Sequence, residues 1–336
     1  MDQIIECVPN ISEGRDAEKI RQIADAVRSV EGVKLLHVDI GKAVNRTVIT
    51  FAGEPAQVVE AAFRLIRETT ELLDMRYQTG VHPRFGATDV CPLVPVKGIS
   101  MEETVEWARE LSKRVGAKLQ IPVYCYEYAA FKEERRNLAT CREGGYEGLQ
   151  KRMADPFWRP DFGPAVFHEK FGAVAIGARK FLIAYNINLD TSSIAVAKDI
   201  ASEIRESGKG KIKGLLPALK AIGWYIEEYQ KAQVSMNLTD LDVTPLYRVF
   251  EVVKQKALER ECKVTGSEII GLVPLKALVE VAQQCVSDPS VVQNNEDAVK
   301  IAVEYLGLNE LHAFNPRDKI VEWALEKDPG KENESW

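Results

Sequence analysis

The chain has little of what marks several common protein classes. Only six of its 336 residues are cysteines (Cys7, Cys91, Cys125, Cys141, Cys262 and Cys285), and no two form a CxxC pair. That argues against a disulfide framework or a zinc site and fits buried thiols in a reducing compartment. Histidines number four, with no HExxH, no HxH and no carboxylate cluster at ligand spacing, so no metal is expected. There is no GxxxxGK[ST] phosphate loop, and Gly14 and Gly41 stand alone, so no GxGxxG follows the first strand. Nucleotide binding by the usual devices is thereby disfavoured. No apolar run approaches the roughly 20 residues needed to span a bilayer. The opening Met1–Glu6 has no basic region before an apolar stretch, so the expectation is a cytoplasmic protein with no membrane partner. Basic residues (44) are outnumbered by acidic ones (50), a formal charge of −6. That excludes a general basic footprint for nucleic acid but leaves room for a local basic pocket that takes a small anion.

What is present is an ordinary globular composition, 46% hydrophobic and 28% charged. At roughly 150 residues per domain, this length predicts about two domains. Residues 3–9 read as a short strand, and Ile20, Ile23, Ala24, Val27 and Val30 have helical spacing. Residues 33–40 and 46–52 read as a hairpin, and Pro55 opens a helix running to about Asp74. A loop over 75–86 leads to a strand at 88–94, then a helix at 101–115 and a strand at 120–126. The first part of this order is β-α-β-β-α-β, a split βαβ unit. The second half repeats it: strand 181–189, helix 192–206, a strand within 212–222, a strand around 232–236, helix 245–261 and strand 267–272. Helices at 275–285 and 295–306 follow, and the tail from Asp328 is polar. Between the halves, residues 131–180 are rich in Arg, Gly, Pro and aromatics and show little periodicity. Such a stretch is either an ordered connector or a ligand-binding segment.

Each histidine has two readings. His82 sits in Gly80-Val81-His82-Pro83-Arg84-Phe85-Gly86. Gly80 permits backbone geometries that a side chain forbids, and Pro83 pushes His82 toward an extended conformation. A fixed loop that presents one imidazole suits a general acid/base, and equally a loop histidine with a structural hydrogen bond. Strand alternation puts His37 and Asp39 on one face. His37 reads as a satisfied sheet residue, whereas Asp39 ends its strand where a functional carboxylate could meet the His82 loop. His168, between Phe167 and Phe171, borders either a flat ring or an exposed hinge. His312 reads as a packing or capping residue.

Several segments in one order carry a resemblance: Cys7-Val8-Pro9-Asn10-Ile11-Ser12-Glu13-Gly14-Arg15, Asn45-Arg46-Thr47-Val48, His82-Pro83-Arg84-Phe85-Gly86-Ala87-Thr88-Asp89-Val90, Gly177-Ala178-Arg179, Leu182-Ile183-Ala184-Tyr185-Asn186, Gln233-Val234-Ser235-Met236-Asn237-Leu238, Gly266-Ser267-Glu268 and Gly271-Leu272-Val273-Pro274. Over residues 2–320 the chain resembles the glutamate formimidoyltransferases, the formiminotransferase part of formiminotransferase–cyclodeaminase. The resemblance implies an α/β (α+β) fold of two ferredoxin-like βαββαβ-type subdomains with facing sheets and helices outside. They would span residues 1–178 and 179–327, with a polar tail at 328–336. It implies transfer of a formimidoyl group from N-formimidoyl-L-glutamate to N5 of tetrahydrofolate, the co-substrate, without a metal. His82 would be the catalytic residue. The folate would lie between the subdomains, lined by Gly163, Pro164, Ala165, Val166, Phe167, His168, Glu169, Lys170, Phe171 and Gly172, with Phe167 and Phe171 candidates to stack on the pterin.

The chemistry fits one imidazole of pKa near working pH, since N5 loses a proton and the departing glutamate nitrogen gains one. Asp39 is the candidate to orient His82. Arg84, Arg179 and Lys180 are candidates for the substrate carboxylates. The family also implies a homodimer. Two alternatives stay open: a related enzyme handling 5-formyltetrahydrofolate, as a cycloligase or a formylglutamate formyltransferase, and a folate-binding protein without turnover.

Overall fold

A computed structural model describes residues 3–80 and 83–326, which form two compact α+β units. The first ends at Arg179 and the second begins at Lys180. Among the described residues no helix is long and apolar enough to cross a membrane.

In the first unit the elements run β1 (Ile4–Cys7), β2 (Asn10–Ile11), α1 (Ala17–Arg28), β3 (Val33–Gly41), β4 (Arg46–Gly53), α2 (Pro55–Leu72), β5 (Thr88–Lys97), α3 (Met101–Leu119), β6 (Val123–Glu127), α4 (Leu138–Cys141), α5 (Gly145–Met153) and β7 (Val174–Ala178). Helix starts follow local chemistry. The Asp16 side chain accepts from the Lys19 amide, Pro55 opens α2, and Ser100 with Glu103 makes a reciprocal capping box on α3. Pro9 interrupts what would be one strand, so β1 and β2 lie in line along β4 and β5. Across the sheet the order is β3, β4, β1/β2, β5, β7, β6, with β7 parallel to both of its neighbours and the rest antiparallel. Ile5, Ile11, Ile49, Phe51, Cys91 and Leu93 pack with α1, α2 and α3 into the main core. On the opposite face, α4 and α5 cover the β5–β7–β6 part through small clusters around Cys141, Leu149 and Met153.

The second unit runs β8 (Ile183–Leu189), α6 (Ile194–Ile204), β9 (Leu219–Ile226), β10 (Lys231–Leu238), α7 (Leu246–Leu258), β11 (Val264–Ile270), α8 (Leu275–Cys285), α9 (Asn295–Leu306), α10 (Pro316–Lys319) and α11 (Val321–Glu326). Its sheet is antiparallel in the order β11, β8, β10, β9. In each unit the first βαββαβ stretch therefore places its strands in the order fourth, first, third, second, the ferredoxin-like arrangement.

Two expectations need correction. Residues 131–180 are not an irregular link between halves. All of them up to Arg179 belong to the first unit, and they supply α4, α5 and the interior strand β7. A strand buried on both faces reads as an unbroken apolar run, which gives no alternation to detect. The strand expected within 212–222 begins only at Leu219, because Gly208 and Gly210 at positive φ, a tight turn from Lys209 to Ile212, and Pro217 occupy the preceding stretch.

Candidate functional site

The face of the first sheet opposite α1, α2 and α3 carries His37 and Asp39 together with a cluster of buried charges. Val38 points into the core, so His37 and Asp39 project to the other face, with Nε2 of His37 3.6 Å from Oδ2 of Asp39. Asp39 pairs in register with Val48 and His37 with Thr50, and Arg46 shares that face at the start of β4. Arg46 Nε donates to Asn10 Oδ1 at 3.0 Å, and its Nη2 donates to Asp89 Oδ2 at 2.7 Å. Arg142, which caps α4, donates to the same oxygen at 2.6 Å. A bulge where β2 meets β5 turns Asp89 to this side. Asp89 is fully buried, and two guanidiniums against one carboxylate leave the cluster with one excess positive charge. Burial presses the Arg46 guanidinium below its usual pKa and neighbouring Arg142 adds to that, while Asp89 opposes it.

His82 lies outside the described residues, but its loop is pinned on both sides. Asn45, in the turn after β3, donates from Nδ2 to the Thr79 carbonyl at 2.7 Å, and Gln78 Nε2 donates to the Asn45 carbonyl at 3.1 Å. Asn45 also accepts from the Gly14 amide, which joins two of the motifs. Beyond the loop the Tyr146 amide donates to the Arg84 carbonyl at 2.9 Å, and the Ala87 amide to the Phe171 carbonyl at 2.8 Å. Gly80 is required by space rather than by φ, since a Cβ there would stand 2.5 Å from the Val44 carbonyl oxygen.

The stretch 163–172 is a surface loop held at its ends. Gly163 and Gly172 both have positive φ, and a Cβ on them would stand 2.0 Å from the Ile121 carbonyl oxygen and 2.4 Å from that of Phe85. Pro164, Ala165 and Val166 form the tip, with Val166 69% exposed. Phe167 packs on Tyr146. Phe171 is fully buried in the main core, so its ring is spent there and is not free to stack on a pterin. The His168 ring accepts from the Phe171 amide at 3.1 Å and closes the turn. Lys170 donates to the Glu71 carbonyl, and the Glu169 carbonyl accepts from Tyr146.

Two of the three basic residues expected at substrate carboxylates form ion pairs within the protein. Arg84 pairs with Glu147 across the Tyr146 ring, and Lys180 with Asp240 at 2.7 Å. Arg179 donates its amide to the Leu93 carbonyl. The Arg46–Asp89–Arg142 cluster was missed, although Asn45-Arg46-Thr47 and Thr88-Asp89-Val90 both lie inside the motifs. His312 contacts Tyr229, Nε2 to hydroxyl at 3.3 Å. All six cysteines are unpaired. Burial pushes the Cys125 thiol up to about 12 and the Cys141 thiol to about 11, which holds both protonated near neutral pH.

The second unit carries its own polar cluster, on the sheet face away from α6 and α7. Tyr185 and Ile187 enter the core, so Asn186 and Asn188 face the other way beside Gln233 and Glu268. Asn186 Nδ2 donates to Glu268 Oε1 at 2.9 Å. Gln233 Nε2 donates to the same oxygen at 3.0 Å and to Asn188 Oδ1 at 2.6 Å, while its own Oε1 accepts from Trp224 at 2.8 Å. Asn188 Nδ2 donates to Glu310 Oε2 at 2.6 Å, and Lys231 pairs with Glu310 at 3.1 Å. Gly266 makes this last reach possible, because a Cβ there would meet Glu310 at 2.6 Å.

Comparison with known proteins gives a consistent result. Residues 4–179 match the formiminotransferase domain, N-terminal subdomain, and residues 184–326 match the formiminotransferase domain. The chain is 45% identical over 334 residues to the formimidoyltransferase-cyclodeaminase of Rattus norvegicus, covering 99% of this chain and 61% of that protein. It is 45% identical over 282 residues to the glutamate formimidoyltransferase of Thermoplasma acidophilum, covering 83% of this chain and 91% of that protein. With the glutamate formimidoyltransferase of Streptococcus pyogenes serotype M1 the identity is 42% over 283 residues, covering 84% and 93%. The chain thus spans about three fifths of the length of the cyclodeaminase-bearing relatives and most of the length of these last two.

Proposed function

The chain belongs to the formiminotransferase domain family, and we propose that it moves the formimidoyl group of N-formimidoyl-L-glutamate to N5 of tetrahydrofolate. The observation that carries the reading is the pair of adjacent family matches, joined to the near-complete coverage of two glutamate formimidoyltransferases.

In the proposed reaction the N5 lone pair adds to the formimidoyl carbon and a tetrahedral adduct forms. N5 gives up its proton, the glutamate nitrogen accepts one, and the bond between that nitrogen and the carbon breaks. The products are 5-formimidoyltetrahydrofolate and L-glutamate. We assign the proton transfers to His82, a step worth about 10²–10⁴-fold. Ties from Asn45, Tyr146 and Phe171 hold Thr79, Arg84 and Ala87, the described residues on either side of it. Asp39, on the open sheet face, is assigned to orient that ring, and residues 163–172 to line the folate. The excess positive charge of Arg46 and Arg142 around Asp89 suits the carboxylates of the donor or of the folate tail. Holding both substrates together supplies much of the remaining acceleration.

Six free thiols, five of them buried, support a reducing cytoplasm as the working compartment. A homodimer is part of the same reading, and sedimentation equilibrium tests it. The deciding experiment incubates the purified chain with tetrahydrofolate and either N-formimidoyl- or N-formyl-L-glutamate, and identifies the folate product by mass. Formimidoyl product from the first donor is expected. No transfer from it, with transfer from the formyl donor, would reassign the enzyme to the 5-formyl alternative.

A further inference from the structure

The loop 163–172 is fixed firmly at its far end and sparsely along its span. Lys170 is tied twice: its Nζ donates to the Glu71 carbonyl, and its own carbonyl accepts from the Met75 amide at 2.9 Å. His168 bonds inside the loop, its ring and its carbonyl taking the amides of Phe171 and Gly172. Among the described residues, one hydrogen bond ties residues 163–169 to the protein outside the loop. It runs from the Tyr146 hydroxyl to the Glu169 carbonyl. The same tyrosine ring meets Phe167, with centroids 5.2 Å apart, and Phe167 in turn rests on the small cluster around Phe85 and Leu149.

Tyr146 is itself well held. It is the second residue of α5, its amide donates to the Arg84 carbonyl at 2.9 Å, and its ring packs against the main core beside the Arg84 guanidinium. Burial pushes its hydroxyl above the usual tyrosine pKa, so it remains a donor through the neutral range. One fixed side chain thus restrains a loop whose Ala165, Val166 and Glu169 are exposed. We propose that Tyr146 is a positioning residue for tetrahydrofolate, its hydroxyl and ring holding residues 163–169 in the shape that receives the ligand. This rests on the assignment of residues 163–172 to folate made above. The hydroxyl is already spent on a backbone carbonyl, so Tyr146 acts through the loop. A loop released from its tether spreads over other shapes, and apparent affinity falls with the fraction that stays competent. The net worth of one such hydrogen bond corresponds to about 2- to 12-fold in affinity.

The test follows deuterium exchange of the Ala165–Lys170 amides with and without tetrahydrofolate, in the wild type, Tyr146→Phe and Tyr146→Leu. Kd for tetrahydrofolate, the KM of each substrate and kcat are measured beside it. Tyr146→Phe keeps the ring and loses the tether. Its Kd and KM for tetrahydrofolate should rise about 2- to 12-fold, while KM for N-formimidoyl-L-glutamate stays within about 2-fold and the loss spares kcat. Its loop amides should exchange faster in the free enzyme and return to wild-type rates at saturating tetrahydrofolate. Tyr146→Leu removes the ring contacts as well and should weaken folate further. Wild-type loop amides that tetrahydrofolate does not slow refute the assignment of this loop to folate, and the positioning role with it, even if neither variant folds. Protection in the wild type with unchanged folate affinity in Tyr146→Phe overturns the positioning role alone. A Tyr146→Phe chain that loses its circular dichroism, or whose loss falls equally on both KM values, makes the tyrosine a structural residue and overturns the proposal as well.

Discussion

Asp89 is the residue whose loss should be felt most sharply in the first unit. It is fully buried, and one of its oxygens takes hydrogen bonds from Arg46 at 2.7 Å and Arg142 at 2.6 Å. Asp89→Asn keeps the volume and an acceptor oxygen but removes the charge that two half-sequestered guanidiniums share. Each bond to a charged group is worth about 1.5–3 kcal/mol, so two together contribute about 3–6 kcal/mol. Breaking a buried pair by removing one partner costs about 3–5 kcal/mol, in the same range. Taking 3 kcal/mol as the lower figure, the amides of β4 and β5 should exchange with deuterium about 100-fold faster. Amides of β8 and β10 in the second unit serve as the internal control. Adding Arg142→Met to Asp89→Asn removes one of the stranded cations and should recover part of the protection, a coupling that independent sites would not show. Exchange within about 3-fold of wild type at β4 and β5 would refute the claim that this carboxylate holds the cluster together.

His82→Ala should lose turnover on the order of 10²-fold or more while tetrahydrofolate still binds, and the inflection of the wild-type pH–rate profile near an imidazole's usual value of about 6.5 should vanish with it. A fall in folate affinity alongside turnover, with circular dichroism unchanged, would make it a binding residue. In the second unit, Arg260 holds the Asp199 carboxyl below its ordinary range, and Lys256 with Arg260 does the same for Glu203. A carboxyl lowered in the folded state stabilises it above the unfolded value of about 4 and loses that contribution as pH falls through the folded value. Acid unfolding monitored between about pH 5 and 2 should therefore shift to higher pH in Arg260→Met, and an unmoved acid limb would count against the network. Gly172→Ala puts a methyl 2.4 Å from the Phe85 carbonyl oxygen at a φ of +81°. The positive φ alone costs about 1–2 kcal/mol, so both thermal midpoint and folate affinity should drop, whereas a wild-type midpoint would show that the loop end has room to spare.

Much of the fold was legible because its signals are local. The caps at Asp16 and Ser100, the Pro at the start of α2 and the alternation of β4 all mark elements that form where the pattern puts them. The shared face of His37 and Asp39 was legible for the same reason. Strand β7 was not, since burial on both faces erases alternation. Arg84 and Lys180 looked available for substrate because their partners, Glu147 and Asp240, lie 63 and 60 residues away. The Arg46–Asp89–Arg142 cluster depends on a bulge and on separations of 43 and 53 residues, which no window of sequence reports. Phe171 differs in kind: an aromatic beside a glycine reads the same whether its ring enters a core or a ligand site.

Strand β7 also sets an order of events during synthesis. It is the last strand of the first unit to leave the ribosome, yet it lies between β5 and β6. Until residue 178 has emerged, those two strands each present an unsatisfied row of backbone groups, the kind of edge that recruits other chains. Residues 163–172 immediately precede β7, so the nascent chain secures them with its final stitch. A ribosome paused before that point would hold a half-closed sheet in need of a chaperone.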